Sequence, residues 1–517
     1  MPLTSLCRGM WRAAVRSMRT SDIRGTPGCR HSSSLDGASV GMADADTIFA
    51  LSSGHGRCGV AVVRVSGPAS PTALSCMAGF RRGLMPPPRT AVLRSITDPH
   101  SNEVLDRGLV LWFPGPHSFS GEDSVEFHIH GGPAVITSVL QALGSVPGVR
   151  PAEAGEFTRR AFQAGKLDLT EVEGLGDLIH AETEAQRRQA LRQMSGDLGR
   201  LYQAWSHRMK RCLAHVEAFI DFSEDELIDD GILTEVDRTV AQLQAEMEQH
   251  LKDERRGERL RTGVQVVIAG ATNAGKSSLL NTLCQRPAAI VSPIPGTTRD
   301  VVDTALDIGG FPVLLSDTAG LRDSSDLVER EGIRRAVERL EQADLTLMVV
   351  DCSHIPADVQ PAASFLREHL HKLMPSDQLP EEDRCLLVLN KTDLIADSQR
   401  EKLAVGLQSV PGLPPFCLIS CQTHQGLTDF LTALHSRVKT LCGNPLSGSP
   451  TLTQARHRTH LQRSVAALAQ YQRYRDADLA LAAEGVRLAL TCLGRITGRV
   501  GAEEILDIIF KDFCIGK

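Results

Sequence analysis

The sequence predicts a multidomain chain: an α+β amino-terminal domain, an all-α helical domain, and an α/β P-loop domain inserted between the two halves of the helical one. Three observations carry this. Val264 to Ala269, mostly β-branched or apolar, leads into GATNAGKSS (Gly270 to Ser278), and SLLNTL follows with helical spacing, so strand, glycine loop and helix come in the order a phosphate-binding loop needs. Helical periodicity precedes this block and resumes after it. Ahead of both lies a stretch of short β-branched runs broken by glycines and prolines.

At 517 residues and 42% apolar, the chain is long enough for three or four domains, each with its own core. A formal charge of −6 argues against a whole-protein nucleic-acid clamp but leaves room for a local basic patch. No apolar run is long enough to span a membrane. The thirteen cysteines form no CxxC pair and are spread along the chain, as suits reduced thiols rather than a disulfide framework.

Residues 1–42 carry Arg8, Arg12, Arg16, Arg19, Arg24 and Arg30 against Asp22 and Asp36, with Leu3, Leu6, Trp11, Val15 and Met18 interleaved. Arginine- and serine-rich and poor in acids, this is the composition of a mitochondrial transit peptide, and it points to the matrix. A basic tail is the plainer alternative.

Residues 43–162 read as the α+β domain. Alternation of Val125, Phe127 and Ile129 puts Glu126, His128 and His130 on the other face of one strand. Two histidines at that spacing suit zinc, but no third ligand is near in sequence, so ordinary hydrogen-bonded strand histidines are expected.

Residues 163–260 are expected to be helical. Leu191, Met194, Leu198, Leu201, Trp205, Met209, Cys212, Val216 and Phe219 recur every three or four residues, as on one buried face of a long helix. Arg187, Arg188, Arg192, Arg208 and Arg211 around it read as a solvated face, with RNA contact the minority reading.

Residues 261–438 form the P-loop domain. Gly270, Gly275, Lys276 and Ser277 meet the GxxxxGKS spacing: the glycines let the backbone curl round phosphate oxygens, Lys276 neutralises them, and the Ser277 hydroxyl can ligate Mg²⁺. Asn273, Ala274 and Ser278 belong to the same phosphate-contacting run. DTAG (Asp317, Thr318, Ala319, Gly320) ends a second strand, where it meets the γ-phosphate and, through Asp317, the metal's surroundings. NKTD (Asn390, Lys391, Thr392, Asp393) ends a third. A carboxylate there accepts two hydrogen bonds from N1–H and the exocyclic amine of guanine, which adenine cannot offer, so the nucleotide is GTP. After DTAG comes Leu321, which cannot orient water as a glutamine would. Asn273, beside a monovalent cation, and Glu329, beyond the second switch, are the candidates to replace it. Against this, Glu329 sits in a charged stretch where a solvated role is the commoner fate. The Pro356 to Glu382 stretch reads as a surface excursion without a chemical signature.

Residues 439–517 begin with a linker, Gly443 to Pro450, and return to helical spacing at Leu461, Val465 and Leu468 and on through EEILDIIF to the end.

GTTRD (Gly296 to Asp300), DTAGLR, NKTD, EFTRRAFQAGKLDL (Glu156 to Leu169) and the final CIGK (Cys514 to Lys517) together resemble the MnmE family of tRNA-modification GTPases, in a form with a mitochondrial presequence. The resemblance runs from about residue 45 to the end. The tail and FTRRAF are specific to the family, whereas the GTPase motifs fit many translational GTPases.

The resemblance implies an amino-terminal domain that binds tetrahydrofolate, in its methylene or formyl form, and makes the homodimer. Arg64, Glu126, Lys166 and Lys517 match its folate site: cations for the glutamyl carboxylates and one carboxylate for the pterin's amino-imine edge. Asn273, Ser292, Ile294 and Thr297 match a K⁺ site, Ser277 and Thr298 the Mg²⁺ ligands, and Glu329 the water-orienting glutamate beside Lys276 and Asp317. Thr297, Thr298, Ser420 and Cys421 complete the GTP contacts, and Cys514 matches a tail cysteine. Thr272 stands where a proline is usual, Cys421 where an alanine is, and the Pro356 to Glu382 stretch is long for the family. Members act on the wobble uridine of tRNA with an FAD-dependent partner subunit. The alternatives are a GTPase switch on rRNA in ribosome assembly, which a KH-like domain after the GTPase block would favour, and a folate enzyme with a vestigial GTPase.

Overall fold

The structure is a computed structural model, and it describes residues 46–54, 56–80, 85–222, 231–285, 304–317, 339–373, 384–444, 450–500, 509–510, 513 and 516. All of these fall in one compact unit, Asp46–Lys517.

Six strands form the amino-terminal sheet: β1 (Thr47–Leu51), β2 (Cys58–Ser66), β3 (Val92–Thr97), β4 (Val104–Phe113), β5 (Ser124–Gly131) and β6 (Val149–Pro151), in the order β3-β4-β5-β2-β1-β6. Helices α1 (Ser70–Ala78) and α2 (Pro133–Gly144) bury Leu74, Met77, Val139 and Leu143 against the face carrying Val63, Val65, Val125 and Phe127. Each such side chain contributes roughly 1.5–3 kcal/mol by leaving water. The alternation that buries Phe127 turns Glu126 to the opposite face, and the β2–β5 register sets it directly across from Arg64.

Next come α3 (Glu156–Gln163), α4 (Leu169–Ile179), α5 (Glu184–Met194), α6 (Asp197–Phe222), α7 (Gly231–Leu251) and α8 (Arg256–Thr262). Capping boxes start two of them, Asp168 with Glu171 and Thr183 with Gln186. The apolar stripe expected on one long helix is divided between two. Gly196, at φ +80°, breaks the chain between α5 and α6, leaving Leu191 43% exposed, while Met194 packs beside Leu169 and Phe510. From Leu198 to Phe219 the stripe holds.

The inserted domain is a sheet of β7 (Val264–Gly270), β8 (Thr304–Ile308), β9 (Phe311–Asp317), β10 (Leu345–Asp351), β11 (Cys385–Asn390) and β12 (Phe416–Leu418), in the order β12-β11-β10-β7-β9-β8. Its pairings are parallel except the β8–β9 hairpin, which turns on Gly309 and Gly310, both at positive φ. Around it lie α9 (Lys276–Cys284), α10 (Val359–Leu373), α11 (Asp397–Gln408) and α12 (Leu427–Cys442). The expected surface excursion thus contains a packed helix: α10 buries Ala362, Ala363, Leu366 and Leu370 on the sheet. Its apolar residues at helical spacing outweigh the flanking prolines.

Helices α13 (Ala455–Tyr474) and α14 (Leu479–Thr497) complete the helical domain. Leu461, Leu468, Tyr471, Val486 and Leu493 share one core with Tyr202, Trp205, Met209, Val240 and Leu243, so the segments on either side of the insertion fold as one body. Arg458 ties its ends together: it donates to Asp253 at 2.5 Å, to Glu258 at 2.8 Å and to the Leu251 carbonyl at 2.9 Å, while the Leu452 N–H donates to Asp253 at 3.2 Å. The chain's end returns to the amino-terminal domain. Phe510 and Phe513 pack on Leu169 and Val172, and the Ser52 hydroxyl donates to the Gly516 carbonyl at 2.9 Å.

His250, buried on α7 beside Tyr202 and Trp205, is pushed down to about 4, first by burial and then by the charges of His457 and Arg458 against the pull of Asp253. It is therefore neutral in the folded state, and its contribution is full above the unfolded value near 6.5. As pH falls from there to about 4 the unfolded chain takes up a proton that the folded chain refuses, which costs roughly 3 kcal/mol. Melting temperature measured across that window should fall more steeply in the wild type than in His250→Gln.

Candidate active site

The phosphate end is built where β7 stops. Gly270 and Gly275 take φ of +148° and +100°, and Asn273 lies at +64°, a left-handed conformation that asparagine tolerates better than most residues. Helix α9 then begins with no side chain capping its N–H groups, the arrangement that receives an anion. The Lys276 ammonium is held at the loop by the carbonyls of Gly270 (3.0 Å) and Ala271 (2.9 Å). Ser277, Ser278 and Asn273 are exposed beside it, and Ala274 is buried beneath. Asp317 ends β9 in register with Ile268, two residues before the loop.

The guanine end is built where β11 stops. Asn390, 2% exposed, donates through Nδ2 to the Ala274 carbonyl at 3.0 Å and accepts through Oδ1 from the Cys421 N–H at 3.2 Å. One amide thus joins the P-loop, the NKTD motif and the Ser420–Cys421 segment. The Ser420 hydroxyl donates to Asp393 Oδ1 at 2.5 Å, fixing a carboxylate that is otherwise exposed. Lys391, at φ +64°, reaches Asp351 at 2.7 Å. Burial pushes the Asp351 carboxyl up, but Lys391 and Ser353 outweigh it and hold it below the usual carboxylate range. The Cys421 thiol is pushed up by burial, so the cysteine standing in for the usual alanine remains a neutral thiol. Sequence reasoning missed Asp351, whose only signal is its place at the end of the strand next to NKTD.

Ser292, Ile294, Thr297, Thr298, Thr318, Ala319, Gly320, Leu321, Glu329, Cys514 and Lys517 lie outside the described residues. Nothing in the geometry above depends on them.

In the amino-terminal sheet Arg64 donates to Glu126 Oε1 from Nε (3.1 Å) and Nη2 (2.9 Å), with its guanidinium 5.4 Å from the Phe119 ring and 5.8 Å from Phe157. With Phe113, Ser120 and Ser124 these residues line a small cavity of about 70 Å³. Exposed Lys166 follows α3, its stem near Gly121 in the loop that carries Ser120. Gly516 lies against Leu51, whose register partner is Val63, the neighbour of Arg64. The structure therefore brings Arg64 and Glu126 into contact, Lys166 to the adjoining loop, and the penultimate residue of the chain to the same strands. Phe119 and Ser120 were missed because they come from a loop without periodicity, and Ser124 because it only opens β5. His128 and His130 go to separate carboxylates, Glu126 at 3.2 Å and Asp106 at 2.8 Å, and no cluster suited to a metal exists among the described residues.

The family description "MnmE helical domain" matches residues 169–514, and "GTP-binding protein TrmE N-terminus" matches residues 47–166. The chain belongs to the MnmE family of tRNA-modification GTPases. It is 68% identical over 472 residues to the mitochondrial 5-taurinomethyluridine-tRNA synthase subunit GTPB3 of Danio rerio, covering 91% of this chain and 93% of that one. To the protein of that name from Homo sapiens it is 54% identical over 510 residues, 99% of this chain and 100% of the other. Likeness to the MnmE tRNA-modification GTPase of Parvibaculum lavamentivorans is 49% over 474 residues, 91% and 100% of the two chains. An MnmE chain is a GTPase, and the geometry around Asn390 is that of a guanine-nucleotide site. The ribosome-assembly alternative is not favoured: an α-helical hairpin, not a KH-like domain, follows the inserted domain.

Asn390→Ala would leave the Ala274 carbonyl and the Cys421 N–H without their partner, a loss of ~1–3 kcal/mol for such a buried group. Titration with a fluorescent GTP analogue should show affinity lowered roughly 10- to 100-fold, at ~1.4 kcal/mol per tenfold.

Proposed function

We propose that this chain is the GTP-hydrolysing subunit of an enzyme that builds a taurinomethyl group on carbon 5 of the wobble uridine of mitochondrial tRNAs. It acts in the mitochondrial matrix as a homodimer, draws the one-carbon unit from a tetrahydrofolate, and works with an FAD-dependent partner subunit. The observation that carries the reading is the junction at Asn390, which joins the P-loop to the NKTD carboxylate in a chain with relatives, 68% and 54% identical, that are named taurinomethyluridine-tRNA synthase subunits.

The donor set suits hard cations. Ser277 and Thr298 offer hydroxyl oxygens to Mg²⁺, and Asn273 with Ser292, Ile294 and Thr297 offers side-chain and carbonyl oxygens to K⁺. Lys276 and Asp317 hold the phosphates and the metal's surroundings, and Glu329 aligns the attacking water that Leu321 cannot. K⁺ supplies the charge that an arginine finger gives elsewhere, worth about 10³–10⁵ in rate, and a facing GTPase domain orders the loop around it. For the folate, Arg64, Lys166 and Lys517 pair with the glutamyl carboxylates and Glu126 with the pterin edge. The contact of Arg64 with Glu126 and the position of Gly516 support this reading. Cys514 remains a candidate tail thiol.

GTP turnover should be faster in K⁺ than in Na⁺ at matched ionic strength, rise with protein concentration, and fall at least tenfold in Glu329→Ala. Equal rates in the two salts would remove the cation from the proposal. Folate affinity, read by equilibrium dialysis, should fall in Arg64→Ala and in Lys166→Ala. Mass spectrometry of mitochondrial tRNA from cells carrying Lys276→Ala should show the wobble nucleoside unmodified, and its normal presence there would refute the functional reading.

A further inference from the structure

Most arginines of the helical domain are neutralised by nearby carboxylates. Arg187 and Arg188 hold Glu184, Arg208 holds Glu246, Arg487 holds Glu217 and Glu484, and Arg456 holds the buried Glu173. Arg463 on α13, Arg495 on α14 and Arg499 just beyond it differ. All three are exposed, and among the described residues none of their guanidiniums has a hydrogen bond or an ion pair. For Arg463 and Arg495 the cause is in the sequence. Helix α13 contains no Asp or Glu, and Glu484, the one acid in α14, is three turns, about 16 Å, from Arg495 and already engaged by Arg487.

The arginines share one place in the fold. Arg456 donates to the carbonyls of Arg495 (3.3 Å) and Ile496 (3.1 Å), locking the two helices where Arg463 and Arg495 emerge. Burial first, then the positive charges of Arg456, Arg463 and Arg495, hold His460 below the usual histidine range. Gly498 packs on Phe162 and Leu169, and Arg499 lines a cavity of about 360 Å³ whose other wall includes Gly165 and Leu167, the residues flanking Lys166. The basic face therefore runs toward the loop beside the Arg64–Glu126 cavity. In a chain of formal charge −6, such a face is a local departure from the average. Its exposed neighbours on α13 are Thr459, Gln462, Ala466 and Gln470, polar or small rather than the aromatic anchors that carry protein interfaces.

We infer that Arg463, Arg495 and Arg499 bind the phosphate backbone of the tRNA substrate and lead its anticodon arm toward the amino-terminal cavity. This rests on the proposed function, in which the wobble uridine takes its one-carbon unit from a folate held at that cavity. Exposed guanidiniums bind phosphate as bidentate donors and release the counterions condensed on RNA, so affinity depends on salt. Arginines already paired with a carboxylate contribute little to this.

The test uses the full chain, alone and with its flavoprotein partner, and an unmodified mitochondrial tRNA transcript as the probe. Kd is measured across a range of salt concentrations for the wild type, for R463A/R495A/R499A, for the corresponding triple lysine variant and for R187A/R188A. The triple alanine variant should lose at least tenfold in affinity near ~0.1 M salt, with a slope of log K on log salt shallower by about 2, while the lysine variant retains most of both. R187A/R188A should bind as the wild type does, and GTP turnover without tRNA should be unchanged in every variant. An unchanged Kd and slope in the triple alanine variant overturns the assignment. So does a variant that keeps tRNA but loses the flavoprotein, which would make the face a protein interface. If the wild type binds no tRNA in either state, the functional reading fails and this inference with it.

Discussion

The fold depends on two segments of chain, separated by a whole inserted domain, sharing one hydrophobic core. Trp205 and Met209 precede the insertion, Leu468 and Val486 follow it, and all are buried in one cluster. The insertion must therefore leave and return at one point. Arg458 meets that requirement by holding Asp253, Glu258 and the Leu251 carbonyl at once, three acceptors on the outgoing strand of chain bound by one side chain of the returning one. Only a guanidinium has the donor geometry for this. Beyond the clamp, Arg259 holds Asp344 at 2.7 Å, and Asp344 accepts from the Gln265 N–H at 3.0 Å, so the anchoring continues into the first and third parallel strands of the insert. The nucleotide domain is thus joined to the helical domain through a run of bonded contacts.

The nucleotide site obeys a similar economy at smaller scale. Parallel strands end side by side, so the loops after β7, β10 and β11 fall together without long-range design. What remains is to hold those loops in conformations the backbone does not favour. Asn273 and Lys391 both sit at left-handed φ, and a Cβ at Gly275 would fall 2.1 Å from Asn390 Nδ2. Asn390 is the compensation, since its amide joins the loops and no apolar residue of its size can do so.

How much of this is legible in the sequence follows from what fixes each part. Strand, loop and helix around GATNAGKSS are readable because periodicity and glycine spacing are local, and so is the face on which Glu126 lies. The break between α5 and α6 was not, because a Ser–Gly pair inside a helical period marks a stop only when Met194 finds better burial beside Phe510, far along the chain. The helix α10 was masked by the prolines and acids around it, although Ala362, Leu366 and Leu370 keep its period. Phe119 and Ser120 entered the cavity through a loop, and Asp351 entered the nucleotide site through strand order; neither leaves a local pattern. Resemblance to a family supplied expectations that geometry alone does not, such as a common ligand for Lys166 and Lys517.

The cavity behind the Arg64–Glu126 pair adds a last constraint. At about 70 Å³ it is well below the ~300 Å³ at which ligand pockets begin. Breaking a half-buried ion pair by removing one partner is costly, because the other is left uncompensated. Exchanging partners is not. A ligand that brought an acceptor to Arg64, whose Nε and Nη2 now converge on Glu126 Oε1, and a donor edge to Glu126 would leave neither residue uncompensated. A ligand that carried either group alone would strand the opposite residue. The aromatic faces of Phe119 and Phe157 already lie against the guanidinium, so the charge of Arg64 is held by one carboxylate and two rings rather than by water.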